Sequence, residues 1–340
     1  MIPPLLDELL RARSPSGFES EVAAVVRREA ASFAEVSADV HGSTISVVRG
    51  SGGAGLLAIF AHCDEVGAMV SHVDGEGFLS LHALGDGRAS TLLDQRVEVL
   101  GRGGAVPGVV ARRGSGRRTS WADLYVDIGA RSDEEALALV ALGDPVVVVG
   151  PPIELAGGRI ASKSCDNRVS LYAAIVAMRA LAADPPPWDV ALVASVQEER
   201  SYAGAATTAF RLAPDAALVL DVTWATDAPG ASPHEYGHHP LGSGAVILRG
   251  PAVHPALFDR LLATAERVGV PHTIEVAGNS LTDAEAVYPA GAGIPTAVAM
   301  VPMRRYHSPA ETVQLSDVEA LSRLAEGFAR SFEPGLDLAR

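Results

Sequence analysis

The sequence predicts an α/β fold in which a doubly wound mixed sheet carries helices on both faces and is interrupted by a small β-rich insertion. Over most of the chain, apolar runs rich in Val, Ile and Leu alternate with segments of helical spacing, as strands buried on both faces alternate with helices. Between about residues 71 and 159, short β-type runs and Gly-rich turns replace that alternation. A length of 340 residues also suits two domains. We therefore expect one domain formed by residues 1–70 and 160–340, and an inserted β-rich domain at 71–159.

The elements before the insertion are two amphipathic helices followed by two strands. Apolar residues at helical spacing predict helices at residues 3–13 and 20–33. Ser16 and Glu19 have the spacing of a capping box for the second helix. The two strands, joined by a Gly-rich turn, are predicted at residues 44–48 and 56–61.

The insertion and the segment after it contain the remaining predicted elements. In the insertion, strands are predicted at residues 97–100, 106–111, 124–128 and 145–149, and a helix at 133–142. After it, strands are predicted at residues 190–196, 217–221, 245–248, 272–276 and 296–301, and helices at 167–183, 255–268 and 316–332. Strand and helix alternate again in this part, which favours a sheet covered on both faces.

The composition indicates a globular protein without a nucleic-acid partner. Hydrophobic residues make up 48% of the chain and charged residues 20%, which is typical of a folded protein. The net charge is −14, whereas phosphate binding depends on clustered Lys and Arg. An Arg-rich stretch at residues 112–118 is the exception. We interpret it as a solvated hairpin tip, because no aromatic residue interleaves with its arginines.

The sequence also indicates a cytoplasmic protein with no membrane partner. No apolar run approaches the roughly 18 residues needed to cross a bilayer. The first residues include Asp7 and Glu8, where a secretory signal would carry basic residues before a long apolar core. Two cysteines are too few for a disulfide framework, which fits a reducing compartment.

Acidic and imidazole side chains follow the predicted strands at several points. Glu198 and Glu199 follow the strand at residues 190–196, at the end where ligands bind in open α/β sheets. Other residues of metal-binding types stand where a strand meets a loop or a helix start: His62 with Asp64, Asp166, Asp221 and His307. Each alone indicates little, since a lone carboxylate is usually solvated or caps a helix. Together the five clusters predict a metal site.

A second metal-type motif is contiguous in the sequence. His234-Glu235-Tyr236-Gly237-His238 has the H-E-x-x-H pattern of zinc proteases. That pattern needs a helix that places both imidazoles on one face, but Pro and Gly residues crowd this segment. We interpret it as a surface loop near the rim of the site.

Cys63 and Cys165 each adjoin a predicted ligand. We expect both to be small buried residues. The alternative is a pair of thiols that approach each other below the metals and oxidise.

Taken in order, these motifs resemble those of the M42 metallo-aminopeptidases, the family of the tetrahedral and glutamyl aminopeptidases. The matching stretches are Ser16-Gly17-Phe18-Glu19, His62-Cys63-Asp64-Glu65-Val66-Gly67, Cys165-Asp166-Asn167-Arg168, Gln197-Glu198-Glu199, Asp221-Val222-Thr223, Leu241-Gly242-Ser243-Gly244 and His307-Ser308-Pro309-Ala310-Glu311. They cover nearly the whole chain and are specific only as a set. The resemblance implies a di-zinc exopeptidase-like fold, a small β-barrel-like insertion that serves dimerisation, and homo-oligomers in which dimers assemble to a dodecamer.

The resemblance also implies a role for each predicted site residue. Five residues match the ligands of a two-metal centre: His62, Asp166, Glu199, Asp221 and His307. Asp166 would be the bridge, Glu198 matches the general base, and Asp64 matches the carboxylate behind His62. Two divalent metal ions per subunit are expected, zinc first and cobalt as the alternative, because imidazole ligands suit both.

The implied activity is removal of the N-terminal residue from short peptides. Two divalent ions can activate a shared water and polarise the scissile carbonyl, and Glu198 would carry the proton from water to the leaving amine. The alternatives are a di-metal carboxypeptidase or amide deacylase, a glycosidase, and a non-catalytic self-assembling scaffold. Glycosidase carboxylates flank the bond about 5–10 Å apart, a geometry that the neighbouring Glu198 and Glu199 do not suggest.

The chain departs from the family pattern beside two predicted ligands. After Glu199 it has Arg200-Ser201-Tyr202-Ala203 in place of a Val-Gly-Leu-Arg-like turn. Before His307 it has Arg304-Arg305-Tyr306, where the family more often has Arg, Tyr and an apolar residue. Thr282-Asp283 instead matches a family motif near the substrate pocket. The resemblance therefore carries no substrate preference to this chain.

Overall fold

The computed structural model describes residues 1–52, 55–114, 118–276, 281–333 and 338. The helices are α1 (Pro4–Arg11), α2 (Ser20–Ala30), α3 (Ala89–Leu92), α4 (Asp133–Leu137), α5 (Cys165–Ala183), α6 (Glu198–Ser201), α7 (Ala203–Leu212), α8 (Pro233–Tyr236), α9 (Pro255–Val268), α10 (Ala284–Val287) and α11 (Leu315–Ser331). The strands are β1 (Glu35–Ala38), β2 (Thr44–Val48), β3 (Leu56–His62), β4 (Gly67–Val73), β5 (Leu79–Leu84), β6 (Arg96–Gly101), β7 (Gly104–Arg112), β8 (Leu124–Asp127), β9 (Pro145–Val148), β10 (Ile153–Leu155), β11 (Arg159–Ser162), β12 (Asp189–Ser195), β13 (Ala216–Trp224), β14 (Ala245–Arg249), β15 (His272–Val276), β16 (Thr296–Arg304) and β17 (Glu311–Gln314).

Eleven strands form one large mixed sheet. Its order is β1-β2-β12-β3-β13-β16-β17-β11-β10, and β14 joins it through β16 while β15 pairs with β14. The central strands β12, β3, β13 and β16 run parallel, whereas β2, β14 and β17 pair antiparallel to them. Because parallel strands present their carboxyl ends at one edge, the segments that follow these four strands are collected there.

The central strands are almost entirely buried because helices cover the sheet on both faces. In β3, β12 and β16 only one terminal residue of each strand escapes full burial. Helices α5, α9 and α11 pack together on one group of strands, and α1 packs on α5. Helices α7 and α10 form a second group that contacts β12 and β16. The predicted doubly wound arrangement is confirmed.

The insertion contains a closed six-stranded barrel. Its strand order is β4-β5-β8-β7-β6-β9, with antiparallel pairs throughout. The barrel has its own apolar core, which includes Val70 and Val126 and is separate from the core of the large sheet. Arg13 links the two regions through an ion pair with Glu98 of β6, at 2.9 Å between nitrogen and oxygen. The barrel-like fold of the insertion is confirmed, while its role in dimerisation and the domain boundaries stay predictions.

The capping box predicted from Ser16 and Glu19 is wrong. Glu19 is itself the residue before α2 and makes no side-chain cap. Its Oε1 instead accepts the main-chain N–H groups of Gly17, at 2.6 Å, and Gln197, at 3.1 Å. The contact with Gln197, far away in the sequence, competes successfully with the local cap.

Two further predictions concern single segments of the insertion. The helix predicted at residues 133–142 ends at Leu137, and the Asp144 carboxylate then accepts the Ala141 N–H in the turn before β9. The Arg-rich stretch at 112–118 lies partly outside the described residues, because 115–117 are not among them. Within the described part of the chain, no helix is long and apolar enough to cross a membrane.

Candidate metal centre

The predicted site residues meet at the carboxyl edge of the parallel strands. In chain order they are His62 at the end of β3, Asp166 in the first turn of α5, Glu198 and Glu199 at the start of α6, Asp221 in β13 and His307 after β16. The register of the sheet explains part of this convergence. Ser195, the last residue of β12, pairs with His62, so α6 begins beside that histidine.

Asp166 lies between two histidines. Its Oδ1 is 3.1 Å from His62 Nε2, and its Oδ2 is 3.3 Å from His307 Nε2. Glu199 Oε2 is also 3.3 Å from His307 Nε2. The two oxygens of one buried carboxylate thus face two separate imidazoles, which is the arrangement that a carboxylate shared by two cations needs.

Glu198 and Asp221 complete the group around His62. Glu198 Oε2 and Asp221 Oδ1 are each 3.8 Å from His62 Nε2. The ligand atoms of His62, Glu198 and Asp221 all lie within 4.8 Å of one another, as do those of His62, Asp166 and Glu199. The distances therefore place Glu198 among the candidate ligands, in addition to the base role that the resemblance implies.

Asp64 holds three parts of the site at once. Its Oδ1 lies 3.2 Å from His62 Nδ1 and also accepts the Glu198 N–H at 3.0 Å. Its Oδ2 accepts the Glu199 N–H at 3.1 Å. Because Asp64 is fully buried and occupies the Nδ1 side of the imidazole, His62 turns Nε2 toward the other carboxylates.

The cluster is electrostatically unfavourable without cations. Burial raises the pKa values of Glu198, Glu199 and Asp221 well above their ordinary range, and neighbouring carboxylates add to the rise. Burial also acts to raise the pKa of Asp166, but its hydrogen bonds with the two histidines outweigh this and lower it. The pKa of His307 is raised to about 9, because Asp166 and Glu199 outweigh the lowering effect of burial.

The donor set fits divalent metal ions. Four carboxylates and two imidazoles converge here, and imidazole nitrogen with carboxylate oxygen is a usual ligand combination for zinc. Glu199 Oε1 is buried and has no hydrogen-bond partner within the described residues. Cations at this place would relieve the repulsion between the carboxylates and satisfy that oxygen.

The turns that carry the site have a backbone conformation that favours glycine. Ser164, Gln197, Arg305 and His307 all have φ between 51° and 65°. Residues with side chains pay an energetic penalty in this left-handed region, and such residues persist only where the surrounding structure holds them. The packing around the sheet edge therefore imposes these turns.

Sequence reasoning missed the role of Glu311. This residue is buried, and its Oε2 accepts the main-chain N–H of Asp166 at 3.0 Å. It thereby ties the segment after His307 to the start of α5. Glu311 ends one of the matching motifs, but a single sequence does not show that its side chain turns inward.

Two more buried carboxylates support the turn before Glu198. Glu19 accepts the Gln197 N–H, and burial together with the charge of Asp64 raises the pKa of Glu19 to about 7. Asp283 accepts a hydrogen bond from the Ser195 hydroxyl, and burial raises the pKa of Asp283 to about 6. The Thr282-Asp283 motif therefore contacts the end of β12.

The contiguous H-E-x-x-H segment forms no comparable cluster. Helix α8 has only four residues, and His234, Glu235 and His238 are exposed. In the described part of the chain, neither group of close ligand atoms includes any of them. The interpretation as an exposed surface segment is confirmed, while its place near the rim of the site stays a prediction.

Both cysteines are buried free thiols. Cys63 Sγ lies 3.9 Å from the Ala194 carbonyl oxygen, and Cys165 Sγ lies 3.5 Å from that of Glu311. Burial raises the pKa of each thiol, which makes both unreactive. The expectation of small buried residues is confirmed.

A cavity of about 330 Å³ opens onto the cluster. This volume lies at the lower end of the range typical of small-molecule sites. Besides the six residues of the cluster, the cavity is lined by Asp86, Arg88, Tyr202, Trp224, Leu281 and Tyr306.

Comparison with known proteins gives consistent matches. Residues 42–324 match the family described as M42 glutamyl aminopeptidase. An aminopeptidase from the archaeon Desulfurococcus kamchatkensis superposes with a TM-score of 0.92 at 34% identity, covering 97% of this chain and 94% of that one. The Pyrococcus horikoshii TET1 peptidase, which can assemble into a tetrahedron or a large octahedral shell, gives 0.87 at 29% identity, covering 96% and 99%.

A curated sequence relative gives the same result. A lysyl aminopeptidase of Pyrococcus furiosus is 30% identical over 313 residues, which is 88% of each chain. The resemblance inferred from the motifs is confirmed, and with it the assignment as a peptidase. The chain belongs to the M42 family of metallo-aminopeptidases.

Proposed function

We propose that this protein removes the N-terminal residue of short peptides by hydrolysis at a two-metal centre. The observation that carries the proposal is the position of Asp166, whose two carboxylate oxygens face His62 and His307. Membership of an aminopeptidase family favours this function over the carboxypeptidase, deacylase, glycosidase and scaffold alternatives.

Five side chains would hold the metals. His62 and Asp221 would bind one ion, Glu199 and His307 the other, and Asp166 both. Zinc is proposed, with cobalt as the alternative, because both accept imidazole nitrogen and carboxylate oxygen. When bound, two such ions lower the pKa of a water molecule and polarise a peptide carbonyl.

Glu198 would act as the general base. Its side chain is buried within the cluster, and Asp64 holds its main-chain N–H. In the metal-free protein, burial raises the pKa of Glu198. The Glu198 carboxylate takes a proton from the attacking water and passes it to the leaving amine as the peptide bond breaks, a role worth about 10²–10⁴ in rate.

Asp64 would act as a positioning residue. It fixes the ring of His62 and the main chain of Glu198 and Glu199 at once. A carboxylate behind a ligand histidine orients the ring and increases its basicity. One substitution at Asp64 is therefore expected to disturb both metal binding and the base.

The acidic surroundings support a requirement for a free amine. Glu198 and Glu199 line the cavity, and Asp86 adds an exposed carboxylate to it. An ammonium group is attracted to such a site, whereas an acylated nitrogen carries no charge. This attraction would restrict cleavage to the N-terminus.

The protein would act as a homo-oligomer in the cytoplasm. The tetrahedron and octahedral shell that the Pyrococcus horikoshii TET1 peptidase can form support a homo-oligomer. The proposed assembly consists of dimers that associate further to a dodecamer, with the barrel as the dimerisation domain. Light scattering after size-exclusion chromatography would give the mass directly. A monomer at micromolar concentration would contradict this part of the proposal.

The function is tested by removing and restoring the metal. The protein is treated with a chelator, reconstituted with zinc or cobalt, and assayed on peptides with a free N-terminus, on their N-acetylated counterparts and on N-acetylated amino acids. We expect two ions per chain and hydrolysis of the free peptides only. Hydrolysis of acetylated amino acids would favour the deacylase, and full activity without metal would contradict the two-metal centre.

A further inference from the structure

Two stacked aromatic rings form part of the cavity wall. Trp224 is the last residue of β13, and Tyr306 follows β16 directly before His307. Their ring centroids are 4.8 Å apart and their planes differ by 21°. Both rings line the cavity and are half-buried, so each retains surface that a substrate can contact.

The stack is held in place by the parallel strands. The Tyr306 hydroxyl donates to the Val222 carbonyl at 3.1 Å, so its polar group is already paired. Trp224 is in register with Met303 of the neighbouring strand. The ring of Tyr306 also lies 5.0 Å from that of His307, between centroids. A surface that is ordered before binding loses little conformational entropy when a ligand arrives, which strengthens binding.

Two charged side chains outside the metal cluster also line the cavity. Asp86 and Arg88 belong to the loop between β5 and α3, and both are exposed. Within the described residues, the Arg88 guanidinium has no ion-pair partner. Charges exposed to water interact weakly with a ligand, so these two groups offer less binding energy than the half-buried rings.

The chemistry of the aromatic wall favours an apolar side chain. Trp and Tyr rings offer large apolar faces that stack well on another ring. A carboxylate pressed against them would lose hydration without gaining a partner from the stack, because the Tyr306 hydroxyl is engaged, and an ion pair with the exposed Arg88 would offset little of that cost. A cationic side chain can bind an aromatic face, but removing its charge from water costs free energy that an apolar side chain does not lose.

We propose that Trp224 and Tyr306 bind the side chain of the substrate's N-terminal residue, and that the enzyme prefers peptides beginning with Phe or another large apolar residue. This inference rests on the proposed aminopeptidase function. Arg305 and Tyr306 stand where the family more often has Tyr and an apolar residue, so the preference is expected to belong to this chain rather than to the family.

The test uses aminoacyl p-nitroanilides, which share a leaving group and differ only in the N-terminal residue. For the metal-loaded enzyme, we expect kcat/KM for the Phe and Leu substrates to exceed that for Ala, Glu and Lys by about 10-fold or more. Replacing Trp224 by Ala should reduce the ratio of kcat/KM for Phe over Ala by about 10-fold. Trp224→Phe, which keeps a ring, should restore most of that ratio.

Two variants serve as controls. Tyr306→Phe keeps the ring but removes the hydrogen bond to Val222, and it should keep the preference for Phe over Ala. Phe210→Ala removes an aromatic side chain that is 74% exposed and lies outside the cavity, and it should match the wild type. If Trp224→Ala proves unfolded, Trp224→Leu replaces it and should show the same reduced ratio.

The outcomes separate this inference from the proposed function. An undiminished preference for Phe over Ala in a folded Trp224→Ala or Trp224→Leu variant would overturn the inference. So would a wild-type enzyme that cleaves Glu or Lys substrates best, which would leave the aminopeptidase function intact. A reconstituted enzyme that hydrolyses no member of the panel would contradict the proposed function itself.

Discussion

The carboxylate cluster at the sheet edge and the H-E-x-x-H loop contain the same residue types, yet only the cluster brings them together. His62, Asp166 and Glu199 come from distant parts of the sequence, and their ligand atoms lie within 4.8 Å of one another. His234 and His238 are four residues apart but exposed, on and after a helix of four residues. Spacing in the sequence is therefore a poorer guide to a metal site than the point at which buried strands end.

Backbone support explains the difference. The cluster follows strands that are buried on both faces, and Asp64 and Glu311 hold the main chain of three of its members. The loop lacks a helix long enough to align two imidazoles, which takes more than one full turn. Bringing like charges together costs free energy. The packed sheet edge holds the carboxylates in place against their repulsion, whereas the exposed loop does not.

The largest expected effect is a loss of kcat when a glutamate of the cluster, but not a glutamate of the loop, is replaced by glutamine. Glu198→Gln should lower kcat by about 10²–10⁴, because the base is lost while the amide still fits the site. Glu235→Gln, the matched change in the H-E-x-x-H loop, should leave kcat unaltered. Steady-state kinetics and metal analysis check both variants. Full activity of Glu198→Gln would remove this residue from the mechanism.

Metal removal should destabilise the protein through the cluster alone. Ligand binding to the folded state adds about 4 kcal/mol of stability when the free ligand exceeds its Kd by 1,000-fold. Chelation should therefore lower the Tm of the wild type and of a His234→Ala, His238→Ala variant equally, measured by calorimetry. Asp166→Ala should show no such change on chelation. A wild-type Tm that is insensitive to complete metal removal would contradict a metal site in the cluster.

A smaller effect is expected from weakening the support of the cluster without removing a ligand. Asp64→Asn should reduce metal affinity about 10–100-fold, as changes behind a ligand histidine usually do. The amide cannot accept hydrogen bonds through both of its terminal atoms, whereas Asp64 accepts through both oxygens. Titration calorimetry with zinc measures the change. Asp74→Asn, in the barrel, is the control and should bind zinc with wild-type affinity.

The smallest expected effect is the contribution of Glu19 to the pH dependence of stability in the metal-free protein. Its pKa is raised to about 7 by burial and by Asp64, so the folded state binds its proton more tightly than the unfolded state. The wild type should therefore lose stability as pH rises from about 4.5 to 7, by about 1–3 kcal/mol. Glu19→Gln keeps an oxygen to accept both N–H groups that now reach Oε1 and should lose about 1–3 kcal/mol less stability than the wild type over this range, because the other buried carboxylates, such as Asp283, titrate in both proteins. Urea unfolding at pH 4, 6 and 8 distinguishes the two, and parallel curves would show that Glu19 is not responsible.

Sequence patterns predicted those elements whose signals are local. Strands Thr44–Val48 and His272–Val276 and helix Pro255–Val268 have the bounds that their residue patterns predict. Strand β4 was not predicted, because Ser71 and His72 interrupt its apolar residues and the register shifts at that point. The pairing that makes this segment a strand comes from β5 and β9, which no local pattern shows.

By itself, the sequence determined the alternation of the main strands and helices of the large sheet, the residue types at the strand ends and, through its motifs, the family. The tertiary structure alone decided that Glu19 turns to Gln197 rather than to Ser16, that Glu311 accepts from Asp166, and that Trp224 stacks on Tyr306. Each of these contacts joins residues far apart in the chain. Hydrophobic periodicity reports only which face of an element is buried, whereas the partner of a buried polar group depends on how the elements pack.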